Sequence, residues 1–463
     1  MTLSGIVRYG TYIPYSRLTR EALGGGRGER SAASYDEDSV SMAVEAGRDA
    51  LRDGPEVDHL LFATISPPYA EKLDAATVQT AVNLPKHITA LDLGGSTRAG
   101  ISSLLLGADL ASAGRSPLVC LSDVSVGAPG GARESGGGDA AAAFIFGSDD
   151  DAGARVIGRA SCTEELLDSW RTPETTFPRQ WEERFGANVV LPIVRGTLAH
   201  ALQEAGLEAK DITTLVVDST NVRVNRGLPG AAGFEAEQVA DDLTSTVGRA
   251  GVAHVGLVLA SVLDEASPGD RIAVVVGADG ADAMILEVTD KIERTRPKHS
   301  VKRWLESGRN DLQYNSYLKW RGVLPFEPPR RPDPARPAAP PMQRGEGWKY
   351  GFIGARCTSC GSANLPPQRV CVVCGAIDQM EDEAFADAEC KIATYTLDRL
   401  AYSLQPPVIA AVVDFEKGGR INCQLTDVDP DAVAIGDELE MTFRKMYSAD
   451  GVHNYFWKAR PLR

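Results

Sequence analysis

Residues 101–113 read ISSLLLGADLASA and residues 252–266 read VAHVGLVLASVLDEA, and what these two stretches share decides the fold. Both are apolar nearly all round, with Ala and Gly among Leu and Val, the pattern of a helix buried on every side. Each runs into a turn with Gly and Pro (GRSP at 114–117, SPGD at 267–270) and then into a continuous apolar strand, 118–121 and 271–276. Such a strand belongs to a sheet covered on both faces. A helix–turn–buried-strand unit used twice predicts an internally duplicated α/β domain with central helices between sheets. The neighbouring segments fit: 39–53 reads as an amphipathic helix with Asp36, Glu37 and Asp38 favourable near its start. Residues 59–64, 140–146 and 214–217 read as short buried strands.

Eight prolines fall between Pro325 and Pro341. They exclude a helix or a central strand and predict an extended linker. Beyond it, 391–397, 408–414, 420–425, 438–443 and 455–458 read as five strands, which suits a small barrel of OB type. The implied divisions are 1–165 and 166–324 for the duplicated halves, 325–346 for the linker, 347–378 for a metal-binding ribbon and 379–463 for the barrel. A chain of 463 residues exceeds one ordinary core. The net charge of −15 argues against a nucleic-acid surface. No apolar run approaches the roughly 20 residues of a membrane helix, and residues 1–7 lack signal-peptide character, so a cytoplasmic protein is expected.

The most specific motif is Cys357-x2-Cys360-x10-Cys371-x2-Cys374. Each CxxC turns two thiolates toward one ion, and two such knuckles close a tetrahedral shell with no open position, which predicts structural Zn²⁺. Gly361 and Gly375 follow where each knuckle needs a tight turn. The remaining cysteines, Cys120, Cys162, Cys390 and Cys423, read as small buried hydrophobes.

Two resemblances cover nearly all of the chain except the linker. Residues 1 to about 325 resemble archaeal-type hydroxymethylglutaryl-CoA synthases of the thiolase superfamily. The stretches that carry this are GIVRYGTYIP (5–14), YDEDSVSMAVEA (35–46), PYAEK (68–72), LDLGGSTRAG (91–100), SWRTPETTFPRQWEERF (169–185) and YNSYLKWRG (314–322). Residues from about 345 to 463 are similar to zinc-ribbon/OB-fold acyl-CoA-binding proteins that partner thiolases, through GARCTSCG, PPQRVCVVCG, PPVIAAVVDFEKGGR and IGDELEMTFR. The resemblance implies a duplicated thiolase-like α-β-α-β-α domain followed by a zinc ribbon and an OB-fold. It also implies an acyl-CoA substrate and a homodimer.

It further implies a Cys nucleophile at a helix N-terminus, a His and a Glu, and the sequence departs from all three. Thr97 stands at the Cys position, Asp218 at the His position and Ile65 at the Glu position, while the Asn beside the His position is kept as Asn221. A hydroxyl without a strong base is a poor nucleophile. The expected activity is therefore non-covalent chemistry on C–C bonds of acyl-CoA esters, of aldol or retro-aldol type. Thr97 would serve an oxyanion-type site and Asp218 would be a base if burial raises its pKa. Tyr69, Asn221, Arg223 and Asn225 would add polar contacts. The alternatives are an acyl-CoA-channelling subunit of a separate thiolase, and an acyltransferase using Thr97. Lys319, Trp320 and Arg321 are the candidates for adenine stacking and CoA phosphate contact. His254, in the second apolar helix, reads as a core or tunnel residue. The Gly-rich stretch 127–138 reads as a flexible loop.

Overall fold

The computed structural model describes residues 4–327, 329–330, 332 and 334–463. The chain forms two compact units. The first comprises Met1–Ala33, Asp38–Ala76 and His87–Tyr314, and the second Ser34–Glu37, Thr77–Lys86 and Asn315–Arg463.

In the first unit the strands are β1 (Ser4–Tyr12), β2 (His59–Ala63), β3 (Thr89–Leu93), β4 (Pro117–Val124), β5 (Asp139–Ser148), β6 (Ala154–Thr163), β7 (Thr214–Ser219), β8 (Arg271–Gly277) and β9 (Gly280–Val288). Its main helices are α1 (Ser39–Leu51), α2 (Ala99–Ser112), α3 (Glu183–Ala205), α4 (Val222–Ala231) and α5 (Ala253–Glu265). The strands make one nine-stranded sheet in the order β7-β8-β9-β6-β1-β5-β4-β2-β3.

Internal duplication is visible in that order. From β1 outward, β5 and β4 follow antiparallel, then β2 and β3 parallel. From β6 outward, β9 and β8 follow antiparallel, then β7 parallel. The place matching β3 is taken by a single parallel bridge between Leu215 and Val239. The chain visits these places in the same sequence in both halves, so α1 matches α3 and α2 matches α5.

The central helices form where the apolar stretches predict, and both are buried over most of their surface. They meet at their first turns: a Cβ on Gly100 would lie 2.3 Å from the Val252 carbonyl oxygen, so only glycine permits this approach. The helix α3 has 23 residues with Pro192 inside it. Contrary to the sequence expectation, it is long and apolar enough to cross a membrane by length and composition. Its buried face, with Val190, Val194, Leu198, Ala201 and Leu202, belongs to a core cluster with β7, β8 and β9. That is the position of an outer-layer helix of the second half.

In the second unit, β10 (Ile353–Cys357), β11 (Ala363–Asn364) and β12 (Met380–Ala384) form a small antiparallel sheet. The strands β13 (Cys390–Asp398), β14 (Val408–Phe415), β15 (Arg420–Leu425), β16 (Glu438–Ala449) and β17 (Val452–Pro461) close a barrel in the order β13-β14-β15-β17-β16. Along β14 every second residue (Ile409, Ala411, Val413, Phe415) is buried, as a strand with one face on a barrel interior requires. The buried charges of this unit are paired: Lys458 Nζ lies 2.8 Å from Asp36 Oδ2, and Arg444 lies 2.5 Å from both Glu37 and Asp427.

The linker reading needs one correction. Its last part, Ala339–Arg344, is a short helix with Pro at its first positions. Proline costs little there, because the first N–H groups of a helix have no intrahelical acceptor. Pro328, Arg331 and Asp333 of the linker lie outside the described residues.

Candidate functional site

The two CxxC knuckles have the same local geometry. The Gly361 N–H donates to the Cys357 carbonyl (2.8 Å) and the Gly375 N–H to the Cys371 carbonyl (3.0 Å), with φ of 74° and 75° at the two glycines. The four Sγ atoms all lie within 4.8 Å of one another. The Cys357–Cys374 and Cys360–Cys371 separations are both 3.7 Å. Four sulfurs about 2.3 Å from a central ion at the corners of a tetrahedron stand about 3.8 Å apart, so the donor set fits Zn²⁺. A closed shell of four thiolates makes the site structural.

In the first unit, two cavities share a wall. One of about 490 Å³ is lined by Ile65, Tyr69, Lys72, Asp74, Asp92 and Thr97, among others. The other, of about 370 Å³, is lined by Thr97, Asp218, Asn225, Asp242, Arg249 and His254, among others. Thr97, Arg133 and Thr220 border both. Thr97 stands just before α2, where a helix presents its N–H groups and the positive end of its dipole.

The structure brings Thr97, Tyr69 and Asp218 to these cavities and does not bring Asn221. Asn221 is wholly buried and caps α4: its side chain accepts from the Arg223 amide (3.1 Å) and donates to the Glu183 carbonyl (2.8 Å). Arg223 pairs with Glu183 at 3.7 Å. Asn225 lines the smaller cavity while donating to the Ser219 carbonyl (2.9 Å). Lys319, Trp320 and Arg321 belong to the second unit and are engaged there. Trp320 Nε1 donates to the Leu404 carbonyl (3.1 Å) beside the Tyr35 ring, Arg321 covers the Tyr317 ring at 5.0 Å, and Lys319 lies 5.7 Å from the Phe326 ring.

Asp218, at the end of β7, does not stand alone in apolar surroundings. Arg249 Nη1 donates to its Oδ1 at 2.7 Å. The segment that delivers Arg249 is fixed by the Gly-rich stretch, which is pinned rather than loose. Gly138 N donates to the Arg249 carbonyl and Arg249 N to the Gly136 carbonyl, both at 2.9 Å, and residues 132–136 form a helical turn.

Asp123, passed over in the sequence, and His254, read there as a core or tunnel residue, shape the site. Asp123, at the end of β4, is buried, and its oxygens accept from Thr64 Oγ1 (2.9 Å), Ile65 N (2.9 Å), Ser66 Oγ (2.8 Å) and Val252 N (2.7 Å). Burial pushes its carboxyl above the ordinary range, and these hydrogen bonds hold part of that rise back. His254 is buried on α5 and lines the smaller cavity, and among the described residues neither ring nitrogen has a hydrogen-bond partner. Burial holds it below an ordinary histidine, with Asp218 drawing it up and Arg249 pushing it down. In the larger cavity Asp74 is pushed up to about 6, first by burial, with Lys72 opposing and Asp92 adding to the rise.

Family models match two segments: the ChsH2 rubredoxin-like zinc ribbon domain over residues 349–378 and the ChsH2 C-terminal OB-fold domain over residues 385–444. The hydroxymethylglutaryl-CoA synthase of Methanopyrus kandleri is 30% identical over 346 residues, covering 70% of this chain and 98% of that protein. That of Methanothermobacter thermautotrophicus is 31% identical over 346 residues, covering 70% and 99%. Among solved structures, an HMG-CoA synthase complexed with CoA superposes with a TM-score of 0.60 at 17% identity, covering 69% of this chain and 90% of that one. A 3-oxoacyl-[acyl-carrier-protein] synthase III from Aquifex aeolicus gives 0.55 at 21%, covering 61% and 99%.

Proposed function

The chain belongs to the hydroxymethylglutaryl-CoA synthase family, and from that premise we propose that it binds acyl-CoA esters and makes or breaks their C–C bonds without an acyl-enzyme. The observation that supports this most is Thr97: a hydroxyl occupies the helix-start position that borders both cavities. Thr97 and the start of α2 are placed to stabilise negative charge on a thioester oxygen. The Arg249–Asp218 pair supplies a fixed cation beside the second reactant. In this reading Asp218 holds Arg249 rather than acting as the base, and Tyr69 lines the acyl side. A cytoplasmic homodimer accompanies the proposal. The outermost strand β3 pairs on one side only among the described residues, and Leu91 on it is 44% exposed.

The test is to mix the full chain with a panel of β-hydroxyacyl- and β-ketoacyl-CoA esters and follow products and intact protein mass by mass spectrometry. Released products with unmodified protein support the proposal. An acyl adduct on Thr97 reverses it in favour of an acyltransferase. A second reading, an acyl-CoA-holding subunit of a separate thiolase, is favoured by the ChsH2-like second unit. It predicts CoA affinity with no turnover by the purified chain.

A further inference from the structure

We infer that His254 is the proton-transfer group of this site and that the substrate it serves is a β-hydroxyacyl thioester. The inference deepens the function proposed above and rests on it. A buried polar group without a partner is costly, and protein interiors nearly always satisfy such groups. His254 is 1% exposed, sits in the first turns of α5, and neither Nδ1 nor Nε2 has a hydrogen-bond partner among the described residues. The residue lines the 370 Å³ cavity that Thr97 also borders. An imidazole left unsatisfied on a cavity wall has a free acceptor for a ligand's hydroxyl.

The charges around it separate His254 from Asp218. The groups acting on the ring are Asp218 from β7, and Asp242 and Arg249 from the segment between α4 and α5. Glu183, Arg20, Arg133 and Arg226 line the rest of the cavity. Asp218 accepts from Arg249 at 2.7 Å, so its carboxylate is already committed to a cation. Burial keeps His254 neutral, with a pKa below the ordinary histidine value, and the neutral ring is the form that accepts a proton.

The step balances without a co-reactant. A ring nitrogen of His254 takes the proton of the β-hydroxyl. The O–H electron pair becomes the second bond of the new carbonyl, and the Cα–Cβ bond breaks. Its pair passes to Cα and the thioester as an enolate, whose oxygen faces Thr97 and the start of α2. The imidazolium then returns the proton to Cα. The products are an aldehyde or ketone and a shortened acyl-CoA, and the reverse sequence is the aldol addition.

The experiment compares the full-length wild type with His254→Gln on 3-hydroxybutyryl-CoA and 3-hydroxy-3-methylglutaryl-CoA across pH 5–9. The chain has six histidines, so ¹³C-histidine NMR of both proteins assigns the His254 signal by its loss. The expected result is a kcat lowered about 100-fold or more with KM nearly unchanged. The acid limb of the wild-type pH profile should coincide with the titration of the His254 signal, and acetyl-CoA should shift that signal. A variant as active as the wild type overturns the role of His254 and leaves the proposed function standing. A signal indifferent to acetyl-CoA does the same. A wild type inactive on every ester of the panel overturns the proposed function itself, and the inference with it.

Discussion

The first turns of the two central helices are anchored by carboxylates from opposite halves, and they are anchored differently. At α2, Arg98 Nε and Nη2 lie 2.9 and 2.8 Å from the two oxygens of Asp282 on β9, and Ser102 Oγ donates to the same carboxylate at 2.6 Å. At α5, Asp123 on β4 accepts the Val252 amide at 2.7 Å, together with donors from 64–66. Each half therefore supplies the acid that fixes the other half's helix. One anchor is an ion pair and the other a charge held by neutral donors. Although burial pushes the Asp282 carboxyl up, hydrogen bonds from Arg98 and Ser102 bring it below the usual range. Asp123, hydrogen-bonded by neutral donors, stays above it. The difference bears on function. At α2 the cation is already spent on structure, whereas the α5 anchor uses a backbone amide and leaves the nearby side chain of His254 free to face a ligand.

The largest effect should come from breaking the ionic anchor. Asp282→Ala strands Arg98, whose remaining partners are Thr163 Oγ1 and the Asp279 carbonyl. Removing one member of a buried pair costs about 3–5 kcal/mol. Urea unfolding should show a fall of that size, and activity should fall too because Thr97 precedes Arg98. Asp123→Asn tests the other anchor more gently. The amide keeps one acceptor oxygen but turns an NH₂ toward backbone N–H donors, and a buried mismatch of this kind costs about 1–3 kcal/mol. A loss for Asp123→Asn as large as that for Asp282→Ala would contradict the distinction drawn between the two anchors.

The architecture was legible where one physical pattern dominates. The apolar helices, the continuous strands beside them and the cysteine spacing each allow one arrangement, and Arg420–Leu425 forms a strand over the residues expected. α3 was missed because Pro192 and Arg195 interrupt its apolar pattern while tertiary packing keeps it helical. The helical turn at 339–344 was missed because proline was read as a breaker and not by position. At the candidate site, residue type was readable and partnership was not. Nothing local to Asp218 shows that Arg249, 31 residues on, will pair with it. Asn221 looked available, yet a helix cap uses both ends of its amide. His254 in an apolar helix reads as a core or tunnel residue, and the fold shows that it is buried and lines a cavity.

The smallest effect, and the sharpest contrast, is in pH dependence. A carboxyl whose folded pKa is depressed contributes stability that is present above the unfolded value, near 3.8 here, and lost as pH falls through the folded value. Asp282 is in that class, so the penalty of Asp282→Asn should be full at pH 7 and shrink only as pH drops below about 4. A carboxyl whose folded pKa is raised behaves oppositely: its contribution is present below the unfolded value and lost as pH climbs through the folded one. Asp123 is in this second class. So is Asp74, for which the window runs from 3.8 to about 6. Asp74→Asn should therefore match the wild type in melting temperature most closely, or fall below it, near pH 4, and gain on it as pH rises through 6. The penalty of Asp123→Asn should likewise be greater at pH 4 than at pH 8, opposite in slope to Asp282→Asn. Thermal melts of the three variants at pH 3, 4, 6 and 8 read this directly. Parallel slopes for Asp123→Asn and Asp282→Asn would mean that both anchors are ionic, and the contrast between the two helix starts would be lost.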